Sequence, residues 1–270
     1  MVLQVLEEVF VLKARLKFTK YGAVKFIGHL DLMRFFQKAF RRAGIDVAYS
    51  QGYSPHQITS FAAPLGVGLT SGAEYMDMEL NSSITSEEFL AKLNPALVEG
   101  IEAVGFSMLA EDSIKSMTAV AAADYMVSLK DGYEAIENFS EHFTEFLSKP
   151  NIKIIKKTKK SEKELDIKPF IYEASLSKEE FNKHCVYEIN VNQADSYDND
   201  NVVFLRLCSG SVDNLKPELV MEGFCQYMKL EYNPLAYQIH RMEVYANDVT
   251  KQEKEAGKRN LVPLSQYQLL

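Results

Sequence analysis

The sequence contains no tryptophan and only three cysteines in 270 residues. Cys185, Cys208 and Cys225 stand too far apart for a CxxC motif, and an odd, dispersed set does not suit a disulfide framework. Buried, unreactive thiols in a reducing, cytoplasmic setting are the expectation. No stretch approaches the ~20 consecutive apolar residues of a membrane helix, so no membrane partner is expected. The apolar start, MVLQVLEEVFVLKARLKF, is interrupted by Glu7 and Glu8 and has no basic segment before it, unlike a secretory signal. No carboxylate–histidine spacing matches a metal motif, and neither a Walker nor a dinucleotide fingerprint occurs; metal and cofactor are both expected to be none. Residues 47–73 hold no Asp, Glu, Lys or Arg at all, yet they are rich in Ser, Gly, Gln and Pro, which reads as loop and strand.

What is present is ordinary globular material, 47% hydrophobic and 25% charged residues. The formal net charge of −7 disfavours nucleic acid when taken alone. Its distribution points the other way. Residues 13–46 carry nine Lys or Arg against Asp31 and Asp46, and residues 151–168 carry seven Lys against Glu162, Glu164 and Asp166. Together these 52 residues hold +11, and the other 218 hold −18. Such polarisation can focus a field on one face.

Periodicity places the elements. ARLKFTK (14–20) reads as a strand, with a turn at Lys20–Gly22. HLDLMRFFQKAFRRAG (29–44) reads as a helix with Met33, Phe36 and Phe40 on one stripe, flanked by Leu32, Phe35 and Ala39, and with Gly44 ending it. IDVAYS and QITSFAA are strands on either side of a glycine- and proline-bearing loop. EYMDMEL alternates, with Met76, Met78 and Leu80 on one face. Thr85 to Glu88 is a capping box opening a second helix, and IEAVGFSML closes the unit. The order is β-α-β-β-α-β, the ferredoxin-like pattern. From DYMVSLK onward the same order repeats: a helix with Ile136, Phe139, Phe143 and Phe146, a long basic hairpin over 151–175 turning near Ser161, strands CVYEINVN (185–192) and NVVFLRLC (201–208), a helix opened by Pro217, and the strand YQIHRMEVYA. The predicted fold class is therefore α+β: two tandem ferredoxin-like domains, the second with an inserted β-hairpin. The predicted boundaries are an extension over 1–12, domain 1 over 13–112, a linker over 113–123, domain 2 over 124–247 and a flexible tail over 248–270. His240 and Arg241, adjacent on the last strand, are expected on opposite faces, one buried and one exposed.

Four segments, RLKFTKYGAVKFIGHLDLMRFFQKAFRRAG, YSQGYSPH, PLGVG and EYMDMEL, resemble the bacterial family called radical SAM-linked or radical SAM-associated protein, a domain of unknown function. The resemblance runs over roughly residues 13–245 and includes KELDIKP and SGSVDNLKPELV. It departs at Gly28, where the family usually has Ser before HLD, and residues 1–12 have no counterpart. The family is encoded beside, or fused to, a radical S-adenosylmethionine enzyme, so the resemblance implies such an enzyme as partner. This chain lacks a CxxxCxxC cluster motif, so any iron–sulfur cluster sits in that partner. A looser, purely architectural likeness is to the tandem ferredoxin-like endonucleases of CRISPR RNA processing.

Candidate site residues follow from residue type and spacing. Arg34, Lys38, Arg41 and Arg42 fall on one helical stripe, suited to phosphate. A solvated helix face is the plain alternative. His29, with Asp31, sits in the first turn of that helix, where the dipole favours a neutral imidazole. His56 lies in the loop. Should His29 and His56 converge, with Tyr49 assisting, acid–base chemistry on a ribose hydroxyl follows. Tyr53 is placed to stack on a base, and Gly52, Gly66, Gly68 and Gly72 let backbone N–H groups approach an anion, although turn chemistry explains them equally. Lys156, Lys157, Lys159 and Lys160 on the hairpin complete the expected RNA-binding set. The leading expectation is a non-catalytic, RNA-binding accessory to a radical SAM enzyme, in tRNA or rRNA modification or processing. The alternatives are a metal-independent ribonuclease or modification subunit using His29 and His56, and a protein–protein adaptor that binds no nucleic acid.

Overall fold

Strand β1 (Leu12–Lys20) sets the plan of the molecule by alternation. Ala14, Leu16 and Phe18 are fully buried on one face, and Arg15, Lys17 and Thr19 point to the other. The computed structural model describes residues 11–157, 162–185, 187, 191–195, 197 and 199–270. After β1, a 3₁₀ turn leads into α1 (His29–Ala43), which buries Leu32, Phe36, Ala39 and Phe40 and ends at Gly44 with φ +65°. Then come β2 (Thr59–Phe61), β3 (Thr70–Leu80), α2 (Ser86–Leu93) and β4 (Ala103–Met108). The Thr85 side chain accepts from Glu88 N–H and caps α2, as the sequence motif requires. A core of Phe36, Phe40, Met76, Met78, Leu80, Phe89 and Phe106 seals α1 and α2 against this part of the sheet.

The second half begins earlier than expected. Residues 113–123, predicted as a linker, hold the helical turn α3 (Ser116–Ala119) and the start of β5 (Val120–Leu129). Next come α4 (Phe139–Ser148), the hairpin β6 (Lys153–Lys157) and β7 (Glu162–Asp166), β8 (Ile171–Ser175), α5 (Lys178–Asn182), β9 (Val202–Cys208), α6 (Pro217–Met228) and β10 (Tyr237–Asn247). The described residues of 185–192 form no strand. β8 takes the expected place beside β9, its Ala174 opposite Leu205.

The halves share one mixed sheet of nine strands, with the path β4-β1-β3-β10-β5-β9-β8; β2 lies against β3 and β11 against β10. β10 runs parallel to the start of β3, with His240 opposite Thr70, while β2 takes the same strand further on, with Phe61 opposite Met76. With β11 and the separate β6–β7 hairpin set aside, each half follows the order last-first-third-second among its own strands. Phe139, Phe143 and Phe146 of α4 and Phe224 of α6 share a core with Ala73 and Tyr75 of β3. Those two residues alternate with Met76 and Met78, so the helix pairs cover opposite faces of the shared sheet.

Residues 248–270, expected to be a flexible tail, are docked. They form α7 (Lys251–Glu255) and β11 (Leu261–Pro263), which pairs with β10, and they bury Leu264 completely. The chain end returns to β4, where Leu270 N–H donates to the Met108 carbonyl at 3.1 Å. The polar run over 248–260 concealed these anchors: the β11 pairing, the buried Leu264 and the backbone bond of Leu270.

Candidate functional site

α1 presents Arg34, Lys38, Arg41 and Arg42 on its exposed side. Arg34 meets Asp31 at 3.3 Å, with both side chains about two-thirds exposed (67% and 71%). Water and salt screen such a pair, which leaves the guanidinium available. Arg41 Nε donates along its own helix to Gln37 O at 3.3 Å. Arg42 donates to the Ala96 carbonyl at 2.8 Å and lies over the Phe35 ring. No buried carboxylate neutralises any of the four among the described residues.

The uncharged segment leaves α1 and makes a narrow hairpin. Val47 bridges to Leu80, Tyr49 to Gln57, and Ser50 N–H donates to the His56 carbonyl at 2.8 Å. Residues 51–56 at its tip are exposed, Tyr53 completely so, and Gly52 adopts φ +113°, a conformation costly for other residues. Tyr49 is partly exposed. His56 Nδ1 is 2.8 Å from Ser50 Oγ. Of the remaining loop glycines, Gly68 is tied down, its N–H donating to Lys25 O at 2.9 Å, and Gly72 lies within β3.

His56 lines a cleft of about 640 Å³ with Lys13, Ser60, Asp77, Glu79 and Lys115. Asp77 and Glu79 alternate with the core residues Met76 and Met78, so this cleft opens on the sheet face opposite α1. His29 lies on the α1 face. It is half-buried, its ring is set edge-on to Phe61 at 4.9 Å, and its shielded Nδ1 has no hydrogen-bond partner. The expected convergence of His29 and His56 therefore does not occur: β2 and β3 separate them. The basic stripe and the His56 cleft are likewise separate surfaces. Lys156 and Lys157 lie on the backbone of β6; their side chains, with Lys159 and Lys160, fall outside the described residues.

The family described as an uncharacterized protein conserved in bacteria, DUF2344, matches residues 13–217, from β1 to the first residue of α6. The chain belongs to that family. No curated protein matches it. No helix among the described residues of this DUF2344 member is long and apolar enough to cross a membrane.

A set of buried charged and hydrogen-bonding side chains sits where the halves of this DUF2344 member meet. Arg241 Nε donates to Glu74 Oε1 at 2.9 Å, and both are almost fully buried. His240 is buried too, so the expectation that one of the pair is exposed fails: a strand in mid-sheet with both faces covered has no outward side. Burial lowers His240 to about 4, and its Nδ1 lies 2.9 Å from Thr70 Oγ1. Glu243 accepts from Tyr75 at 2.6 Å and from Lys17 at 2.8 Å. Arg15 grips Asp77 at 2.7 Å and the Leu264 carbonyl at 2.8 Å. Lys25 reaches Asp195 at 2.5 Å, and Lys20, lowered by burial, donates to Ile27 O at 3.0 Å. Much of the positive charge counted in residues 13–46 is thus structural, and the free share lies on α1. A separate buried carboxylate, Asp124, accepts from Arg206 at 2.8 Å, Tyr245 at 2.6 Å and Tyr187 at 3.0 Å. The thiols agree with expectation for Cys208 and Cys225, which are buried; Cys185 is half-buried and pushed up to about 11 by its burial.

Proposed function

We propose that this chain is a non-catalytic RNA-binding subunit that acts in the cytoplasm beside a radical SAM enzyme, presenting a structured RNA for modification or processing. Each half is taken as a ferredoxin-like unit, on the strength of its strand order. The supporting observation is the exposed row Arg34, Lys38, Arg41 and Arg42, held on a rigid helix and unpaired with any buried acid among the described residues. Arginine forks on a helix match phosphate geometry, and each contact releases counterions. The fully exposed Tyr53 adds a ring suited to stacking on an unpaired base. The placement of His29 and His56 on different faces of the sheet speaks against the ribonuclease alternative.

A filter-binding titration with transfer RNA tests the reading. Binding at low salt that weakens steeply as salt rises is expected; no affinity at low salt, or no salt dependence, removes it. The adaptor reading has its own support in Phe26, Leu30 and Val67, large apolar side chains exposed around the start of α1. It requires a complex with the enzyme that survives reversal of Arg34, Arg41 and Arg42 to Glu with no loss of RNA-dependent activity.

A further inference from the structure

The SGSVDNLKPELV motif and the C-terminal segment, neither used by the proposed function, meet at a second cleft of about 410 Å³. Its charged lining consists of Lys258, Arg259 and Asp213, a net of +1. The guanidinium of Arg259 lies 3.9 Å above the centre of the Tyr172 ring. Stacking fixes the plane of the guanidinium and leaves its N–H edge for an acceptor. No carboxylate pairs with Arg259 among the described residues. Burial, then contact with the Cys208 thiol, pushes Tyr172 up to about 12, so the phenol stays neutral beside an incoming anion.

Both walls are built rather than loose. On one side, Gly210 N–H donates to the Asp213 carbonyl at 2.8 Å, Ser209 bridges to Asn214, and Cys208 Sγ donates to the same Asp213 carbonyl at 3.2 Å. The turn is tight: a Cβ on Gly210 would meet that carbonyl at 3.3 Å. The Ser211 hydroxyl and the Ser211 and Val212 N–H groups donate to nothing among the described residues. On the other side, Asn247 Oδ1 accepts from Asn260 N–H at 2.8 Å, and Asp248 N–H donates to the Asn260 carbonyl at 2.8 Å. Lys258 N–H donates to Glu253 O at 2.9 Å, which holds both cations on a pinned loop, and Lys258 Nζ meets Glu253 Oε1 at 3.4 Å in an exposed pair that water and salt screen.

We infer that this cleft binds a phosphate monoester, with Arg259 and Lys258 on the phosphate from one wall and the free donors of Ser211 and Val212 from the other. Two cations and a run of backbone and hydroxyl donors form a nest-like anion site, and Val120, Ala121 and Leu261 offer apolar surface to the body of the ligand. The monoester is carried either by a free nucleotide or by a phosphorylated RNA end.

Calorimetric titration of the full chain at fixed ionic strength tests this, with inorganic phosphate, 5′-AMP and, as the phosphate-free control, adenosine. Phosphate and AMP are expected to bind and adenosine is not. Arg259→Ala, an exposed position whose loss leaves the fold intact, is expected to weaken AMP about tenfold, the scale of one charge-assisted contact. Lys258→Ala is expected to act in the same direction. Arg34→Glu with Arg41→Glu should leave AMP affinity unchanged, so failure here and failure of RNA binding on α1 remain distinguishable. Absence of phosphate and AMP binding at millimolar concentration, or an Arg259→Ala protein that binds AMP as wild type does, overturns the site. A 5′-phosphorylated oligoribonucleotide that displaces AMP while its 5′-hydroxyl twin does not supports the site with an RNA end as the source; displacement by neither supports it with a free nucleotide.

Discussion

The nine cations of residues 13–46 divide by what they touch. On α1 the period of 3.6 alone separates the exposed row from Phe36 and Phe40, and that much was legible in the sequence. On β1 the partners are remote: Asp77 is 62 residues from Arg15, and Glu243 is 226 residues from Lys17. No local pattern carries such pairings, so residues that looked like an electrostatic surface prove to be a buried seam. Glu74→Gln leaves the Arg241 guanidinium facing a neutral amide in the interior, at an expected cost of about 3–5 kcal/mol in urea unfolding at pH 7. A loss below about 1 kcal/mol shows that the pair does not hold the junction. His240 gives a pH signature. Its folded value, about 4, lies below the unfolded value near 6.5, so the unfolded chain takes up the proton first as pH falls. The neutral ring leaves stability whole above pH ~6.5 and erodes it between ~6.5 and ~4. Wild type is expected to lose about 2 kcal/mol more than His240→Gln between pH 7 and pH 5 in urea titrations. Equal losses in the two proteins rule the histidine out as the cause.

Among the elements, those with strong local signals lie where the sequence placed them, α1 with its glycine stop and α2 with its capping box; α4 keeps its phenylalanine stripe but starts at Phe139, so Ile136, expected on that stripe, precedes the helix. Elements whose reason is a distant partner were hidden. β11 is only three residues, Leu261–Pro263, just after a polar stretch, fixed by β10 and by Leu264 in the second core. Leu264→Ala is expected to cost about 2–5 kcal/mol, the range for a fully buried leucine, and to release the C-terminal segment to proteolysis; unchanged urea stability shows the segment to be ornamental. The turn between β1 and α1 depends on Gly100, at φ +90°, where an added Cβ would stand 2.5 Å from the Tyr21 carbonyl. Gly100→Ala is therefore expected to lower the thermal midpoint by several degrees, more than a surface Gly→Ala at an open turn such as Gly132. Equal shifts at the two positions contradict the close packing of that turn.

Across the entire chain, the succession of elements in the first half was readable from period and spacing; in the second half β8, read as part of the hairpin, stands beside β9 where the strand over 185–192 was expected, and the joining of both halves into one sheet was not legible. That joint rests on β3 and β10, far apart in sequence, and on charges whose burial composition cannot reveal. A shared sheet with cores on opposite faces, both touching β3, couples the halves, so calorimetric and van't Hoff enthalpies of thermal unfolding are expected to agree in a single transition. Two separated transitions indicate independent domains. The acidic sum, −7, is compatible with RNA binding only if the α1 row acts locally. The most direct test is the salt dependence of transfer RNA affinity for wild type and for the variant with Arg34, Lys38 and Arg41 each changed to Glu. If the row grips phosphates, the wild-type log–log plot falls steeply and the variant loses roughly two to three units of slope along with most of its affinity. Identical slopes in the two proteins would contradict the proposed interface.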